Sequence, residues 1–252
     1  MKSTERFSDR VENYIKYRPG YPPQILQYLK EEINLTPNNI IADIGSGTGI
    51  STEVFLKNGN KVYAVEPNKE MREAAERLLK DYTEFISING TAEETNLKQN
   101  SIDIITVGQA FHWFNVNKCK SEFNRILYDN GFVILMWNIR TMNMTGIADD
   151  YEKLLLKFGT DYENVKNTNN VTNDILKNFY TNGYKVKEFD NFQTFDFEGL
   201  KGRLLSSSYV PNENDSVTKE MLSELGNIFN KHKSNGVIKF EYKASVYFGK
   251  LN

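Results

Sequence analysis

The chain has 252 residues and a mass of 29.1 kDa, with 31 Lys+Arg against 33 Asp+Glu and a net charge of −2. Hydrophobic residues at 39% and aromatics at 13% exclude disorder and fibrous repeats, and a pI of about 5.9 removes the basic footprint of a nucleic-acid binder. A lone Cys119 excludes an internal disulfide or a Cys-cluster metal site, and with only His112 and His232 no His-rich metal centre is expected.

In chain order, Met1–Arg6 is charged and has no apolar core, so it does not read as a secretory signal. Val11, Tyr14 and Ile15 lie at helical spacing before Pro19-Gly20 stops the segment. A second helix is expected from Pro22-Pro23, with Ile25, Leu26, Leu29 and Ile33 on one face. These make residues 1–35 a helical cap.

From residue 36 to residue 140 short apolar runs alternate with amphipathic stretches. Strands are expected at 40–44, 61–65, 85–88, 102–107 and 132–137, each rich in β-branched residues, as in a parallel sheet covered on both faces. The longest of these runs, Phe132–Trp137, is far short of the ~20 apolar residues that span a bilayer. Helices are expected at 48–57, 68–80 and 116–127, with turns at Asn58-Gly59-Asn60 and Asp129-Asn130-Gly131. Repeated strand–helix–strand units imply an α/β fold: a doubly wound, mostly parallel Rossmann-like sheet.

Beyond residue 140 the periodicity weakens. Asn167–Asn173 reads as a polar loop, with helices expected around 151–158 and 174–180. One or two strands are expected in 184–197, helices at 198–208 and 215–233, and a late strand in 237–248. The expectation is one domain of seven strands, with residues 141–235 forming an inserted helical lobe and sheet edge. Residues 236–252 would form the terminal strand of an antiparallel C-terminal edge.

The strongest chemical signal is Asp43-Ile44-Gly45-Ser46-Gly47-Thr48-Gly49, where the first strand turns into the first core helix. Glycines there permit a tight turn and a close approach of backbone to ligand, at the carboxyl end of the strands where open α/β sheets bind. Glu66 closes the second strand 23 residues after Asp43, at a position suited to accept both ribose hydroxyls of an adenosine-containing ligand. A dinucleotide fingerprint would place its third glycine at position 50, where Ile50 stands. The acid Asp43 ahead of the loop suits a cationic ligand group better than a pyrophosphate. Both departures point away from NAD, although an NAD-dependent oxidoreductase on the same fold stays an alternative.

An acid two residues before Gly-x-Gly-x-Gly and a second acid ending the next strand resemble the class I S-adenosylmethionine-dependent methyltransferases. Gln109–Phe114 after the fourth strand narrows the resemblance to the methyltransferase type 11 branch that includes trans-aconitate methyltransferase-like proteins. Tyr14-x-x-Tyr17-Arg18-Pro19-x-Tyr21-Pro22, Val65-Glu66-Pro67 and Trp137-Asn138-x-Arg140 support the same branch. The resemblance covers nearly the whole chain and implies S-adenosyl-L-methionine as cofactor. By it, Asp43, Gly45, Ser46, Gly47, Thr48 and Gly49 line the methionine portion, Glu66 holds the ribose, and Pro67 belongs to the same cofactor site. Ala92 and Glu93 lie near the adenine, Gln109 and Ala110 border the site, and Tyr14 and Arg18 of the cap reach the cofactor carboxylate. Met71 reads equally as an adenine-packing or a core residue.

Methyl transfer is an in-line displacement that depends on alignment and water exclusion, and a base matters only for a protonated acceptor. His112 therefore reads as a base, as a hydrogen-bond donor, or as a packed histidine. Trp113 and Trp137 read as acceptor-pocket walls or as core, and Arg140 as a carboxylate anchor or a solvated cation. The expected function is methyl transfer to a small molecule, a carboxylic acid or another anion, with neither nucleic acid nor membrane as partner. A non-catalytic cofactor-binding module is the alternative from a different class. The oligomeric state is left open, the location is expected to be cytoplasmic, and no chemistry is assigned to Cys119.

Overall fold

The computed structural model describes residues 10–141, 146–164 and 171–251. Met1–Arg6 and the part of the expected polar loop up to Asn170 lie outside the described residues.

Seven strands form one sheet: β1 (Ile40–Ile44), β2 (Lys61–Val65), β3 (Phe85–Ile88), β4 (Ile102–Gly108), β5 (Leu127–Arg140), β6 (Lys185–Phe195) and β7 (Ile238–Gly249). Their order across the sheet is β3-β2-β1-β4-β5-β7-β6. The strands from β1 to β5 pair in parallel, and β7 runs antiparallel to both β5 and β6. The antiparallel addition expected at the C-terminal end is thus a single reversed strand. It sits one place in from the edge, and β6 outside it runs with the other five.

Period-2 alternation sends the strand side chains to two opposite cores. Ile41, Val62, Ile104, Ile134 and Met136 pack with α2 (Gln24–Ile33) and α3 (Ile50–Lys57). Ala42, Ile44, Ile105, Val107, Val133 and Leu135 face α5 (Val116–Ile126) and α7 (Asn173–Phe179) on the other side. Their near-complete burial explains why these strands read as apolar runs and not as alternating ones. β5 begins earlier than expected: Ile102 faces Leu127 but Ile104 faces Phe132. The Asp129-Asn130-Gly131 turn is therefore an excursion inside the strand.

A third core belongs to the lobe. There α6 (Ile147–Phe158), α8 (Phe197–Leu205) and α9 (Ser216–His232) enclose Tyr151, Leu154, Leu200, Leu204, Met221 and Leu225 against Phe195 and Phe240. The cap helix α1 (Val11–Tyr17) bridges this lobe to the sheet. Val11 packs on Met71 and Ala74 of α4 (Lys69–Leu78). On the other flank Arg10 donates to the carbonyls of Leu205 at 3.1 Å, Ser207 at 2.7 Å and Val210 at 2.8 Å, and to Asn212 Oδ1 at 2.6 Å. Arg18 donates to the carbonyl of Ser206 at 2.9 Å. Of the last carbonyls of α8, those of Gly202 and Leu204 accept from Ser206 N and Ser207 N, while cap cations satisfy that of Leu205 and those of the residues just beyond the helix.

Between these clamps the Tyr17 ring lies flat against α8 at Gly202, where an added Cβ would fall 1.9 Å from Tyr17 Cε2. Gly202→Ala is expected to push the ring out, lowering stability by about 1–3 kcal/mol, the usual cost of overpacking. Limited trypsin digestion should then cleave faster after Lys16. Added to Tyr17→Ala, the same substitution should cost almost nothing; equal costs in both backgrounds would show that the ring is not seated there.

Candidate active site

The order of the sheet reverses between β1 and β4, and the crevice at their carboxyl ends is where an open α/β sheet binds ligands. The loop from Gly45 to Gly49 occupies it. Gly47 has φ +57° and an added Cβ there meets no atom within 4 Å, so its backbone faces open space. Gly49, φ +89°, has a different duty, because an added Cβ would lie 2.6 Å from Leu79 Cδ1. It permits α3 to close on the end of α4, and it lines neither cavity.

Asp43 also departs from expectation. Its side chain is 0% exposed, and its carboxylate accepts hydrogen bonds from Ser51 Oγ at 2.7 Å, Thr52 Oγ1 at 2.6 Å and Thr106 Oγ1 at 3.0 Å. Burial pushes the carboxyl above its ordinary pKa while these hydroxyls pull it back. Asp43 is therefore a brace beneath the loop and not a residue of the cavity wall. Glu66 reaches the crevice: its two oxygens accept from Gly47 N at 2.9 Å and Asn68 N at 2.8 Å. Burial raises its pKa against these two bonds.

Two adjoining cavities share Tyr14, Gly45, Gly47, Gly108, Gln109 and Trp113 as common wall. The narrower, about 160 Å³, is bounded by Glu66, Pro67, Asn68, Met71, Ala92, Glu93, Ala110 and Phe114. The wider, about 440 Å³, is reached by Ser46, Thr48, Arg18, His112, Trp137 and Arg140. The remaining sequence-predicted site residues thus converge on one cleft. Sequence reasoning missed Asn68, and it missed Glu152, Tyr162, Arg203, Tyr209 and Tyr242 of the wider wall. The signal for Asn68 was present, since an Asn three residues before Met71 is an N-cap pattern, and its Oδ1 accepts from Met71 N at 2.8 Å. The lobe residues carry no motif.

His112 sits in a short 3-10 turn, Phe111–Trp113. Phe111 plunges into the core edge-on to Trp137 and Phe179. That leaves His112 and Trp113 at the cavity and Phe114 on the narrower one. Burial holds the His112 imidazole down at about 4, so it is neutral at physiological pH. Arg140 is not a free anchor: it pairs with Glu152 at 2.5 Å, and the same carboxylate oxygen accepts from Tyr162 Oη at 2.5 Å. Ser46 Oγ, His112 Nδ1 and Trp137 Nε1 are buried with no protein partner. Three orphaned polar atoms around one cleft mark it as shaped for a ligand that supplies the missing bonds. Cys119, fully buried with its thiol pushed up to about 12 by desolvation and Glu93, is chemically inert. Among the described residues no cluster of His, Cys, Asp and Glu is arranged to hold a metal, and no helix is long and apolar enough to cross a membrane.

Residues 42–135, from within β1 to within β5, match the family model described as a methyltransferase domain. An uncharacterised methyltransferase of Schizosaccharomyces pombe is 31% identical over 135 residues, 53% of each chain. One of Mycobacterium tuberculosis is 34% identical over 134 residues, 53% of this chain and 52% of that one. The chain thus spans about half the length of the curated relatives it matches. Among solved structures, one from Anaeromyxobacter dehalogenans superposes with a TM-score of 0.68 at 16% identity, over 93% of this chain and 98% of that one. The YcgJ protein of Bacillus subtilis gives 0.56 at 19% identity, over 90% and 97%. At these identities the likeness is one of fold: a seven-stranded, mostly parallel methyltransferase-type sheet.

The depressed His112 pKa has a sign that can be measured. Below about 6.5 the unfolded imidazole takes up a proton that the folded one refuses until about 4. Its contribution to stability is therefore complete above the unfolded value and lost as pH falls through this window. Denaturant titrations should give wild type about 2 kcal/mol less stability at pH 5 than at pH 7 from this group, as an upper bound. His112→Gln should flatten that part of the slope; an unchanged slope would assign it to other residues.

Proposed function

We propose that this protein is an S-adenosylmethionine-dependent methyltransferase whose acceptor is a small anionic molecule, a carboxylic acid being the reading preferred. The observation that carries it is the Glu66 carboxylate, held by Gly47 N and Asn68 N at the head of a narrow cavity that opens into a wider, arginine-bearing chamber. The match of residues 42–135 to a methyltransferase domain supports the same reading. The trans-aconitate methyltransferase-like motifs at Gln109–Phe114 and Trp137–Arg140 support its finer branch. On this reading the cap, core, lobe and terminal strand act as one unit over residues 1–252.

The residues present fit the cofactor. Gly47 faces open space and the buried Ser46 Oγ lacks a partner, so the loop has both room and an unmet hydrogen bond for the methionine portion. Glu66 would accept from the ribose hydroxyls, Met71 and Phe114 would flank the adenine, and Arg18 with Tyr14 would take the carboxylate. When bound, S-adenosylmethionine supplies a methyl group on a positively charged sulfur. The chain's own part is orientation and exclusion of water by the aromatic wall of Trp113, Trp137 and Tyr247. His112, held near 4, is too weak a base to remove a proton at neutral pH, but its imidazole can hydrogen-bond the acceptor. An acceptor oxygen already ionised needs nothing more, which favours a carboxylate over an alcohol.

Calorimetric titration with S-adenosylmethionine and S-adenosylhomocysteine should show saturable one-to-one binding, weakened at least tenfold in Glu66→Ala. S-adenosylhomocysteine should be released when a panel of small carboxylic acids is offered. Absence of binding by the intact protein would sink the reading.

A further inference from the structure

Arg203 lies in the last turn of α8, whose Leu200 and Leu204 are fully buried in the lobe core. Its side chain is drawn in with them to 8% exposure and ends at the wall of the wider cavity. A buried guanidinium normally finds acceptors for its five donors. Arg10, buried to 9%, does so with four of them on the following loop. Arg203 has only neutral hydroxyl partners, Ser207 Oγ at 3.3 Å and Tyr242, and its Nε is buried with no partner. Among the described residues no carboxylate lies within ion-pair reach of it, whereas Arg140 has Glu152 and Arg125 has Glu122.

The charge is felt by its neighbours. Burial would raise the phenol of Tyr209, yet Arg18 and Arg203, together with a hydrogen bond at Ser207 and the charge of Arg140, hold it below its ordinary value. Among the described residues the wider cavity has three guanidiniums, Arg18, Arg140 and Arg203, against one carboxylate, Glu152. The narrower has two carboxylates, Glu66 and Glu93, and no cation. The cleft is therefore negative at one end and carries two net positive charges at the other, a field that orients a ligand pair of opposite polarity. In the cofactor reading, one anionic group, the cofactor carboxylate, answers Arg18. A second positive charge remains.

We propose that Arg203 is the specificity residue of the acceptor pocket, its guanidinium fork holding an acceptor carboxylate beside Tyr209 and Tyr242. This rests on the methyltransferase reading and adds to it the group by which the acceptor is recognised. Arginine suits the task because its planar donors match a carboxylate in two parallel bonds. The aromatic wall at Trp137 and Tyr247 would then take the apolar body of the acceptor.

The chain's two tryptophans, Trp113 and Trp137, both line this cavity, so intrinsic fluorescence reports on it directly. The test uses the full chain saturated with S-adenosylhomocysteine in a carboxylate-free buffer, titrated with benzoate and succinate, and in parallel with benzamide and succinamide. The two acids should bind saturably and the amides at least tenfold more weakly. Arg203→Gln should weaken the acids at least tenfold while changing S-adenosylhomocysteine affinity less than threefold, and Arg203→Lys should recover part of the loss. Arg18→Gln should do the reverse and weaken S-adenosylhomocysteine first. A purely structural Arg203 would lower the melting temperature when replaced, but a guanidinium held without a counter-ion should leave it unchanged or raised in Arg203→Gln. Equal binding of acids and amides, equal loss of cofactor product and acids in Arg203→Gln, or a lowered melting temperature with acid binding intact would each overturn the proposal. Failure of the intact protein to bind S-adenosylhomocysteine is scored before any acid is added, and that result strikes the cofactor reading instead.

Discussion

The crevice depends on one buried carboxylate. Asp43 ends no hydrogen bond in solvent; its oxygens are filled by Ser51 and Thr52 from the start of α3 and by Thr106 from β4. Those three hydroxyls come from the two elements that flank the crevice at the carboxyl ends of β1 and β4. Because an unpaired carboxylate at 0% exposure would be costly, the three partners are held at fixed positions. The glycine loop above them inherits that rigidity. Glu66 repeats the device one strand away, with backbone amides in place of hydroxyls. A binding loop built of glycines is soft by composition; here it is stiffened from below and from the side.

The second constraint is that the cleft is closed by parts distant in sequence. Cap helix α1 touches α4 on one flank and α8 on the other, so the narrow cavity and the wide chamber have a common roof in Tyr14. Arg10 and Arg18 fasten this roof to main-chain carbonyls at the end of α8. Main-chain acceptors make the joint indifferent to the side chains of residues 205–210, and the neighbouring Arg203 remains without such partners.

Legibility in the sequence followed burial. Strands covered on both faces are continuous apolar runs, so β1 to β4 were readable to within a residue or so, and the Gly-rich loop with Glu66 was readable because few other structures need that spacing. Asp43 was misplaced because spacing reveals a residue's place along a strand but not that Thr106 of the adjacent strand offers it a hydroxyl. Gly49 was misassigned for a similar reason: its demand comes from Leu79, thirty positions later. Arg203, Glu152 and Tyr242 were invisible, since a polar residue on an amphipathic lobe helix or a late strand reads as solvated until the opposing elements are known. Phe111, Trp113 and Phe114 could be located as a cluster, yet only the 3-10 turn decides which ring goes to the core.

The reversed strand has a consequence for how the molecule comes into being. β7 is the last of the seven strands in the chain, yet it lies inside the sheet, between β5 and β6. During synthesis β1 to β5 can pair as they emerge, and the crevice between β1 and β4 can take shape early. β6 then waits with neither edge partnered until the segment from Ile238 to Gly249 arrives and zips to both neighbours at once. Pairings such as Val133 with Gly249 span more than a hundred residues, the kind of long-range closure that slows folding. The lobe side of the wider cavity is thus assembled last, and a ribosome-bound or truncated chain would have a formed crevice between β1 and β4 with an open, edge-exposed sheet beside it.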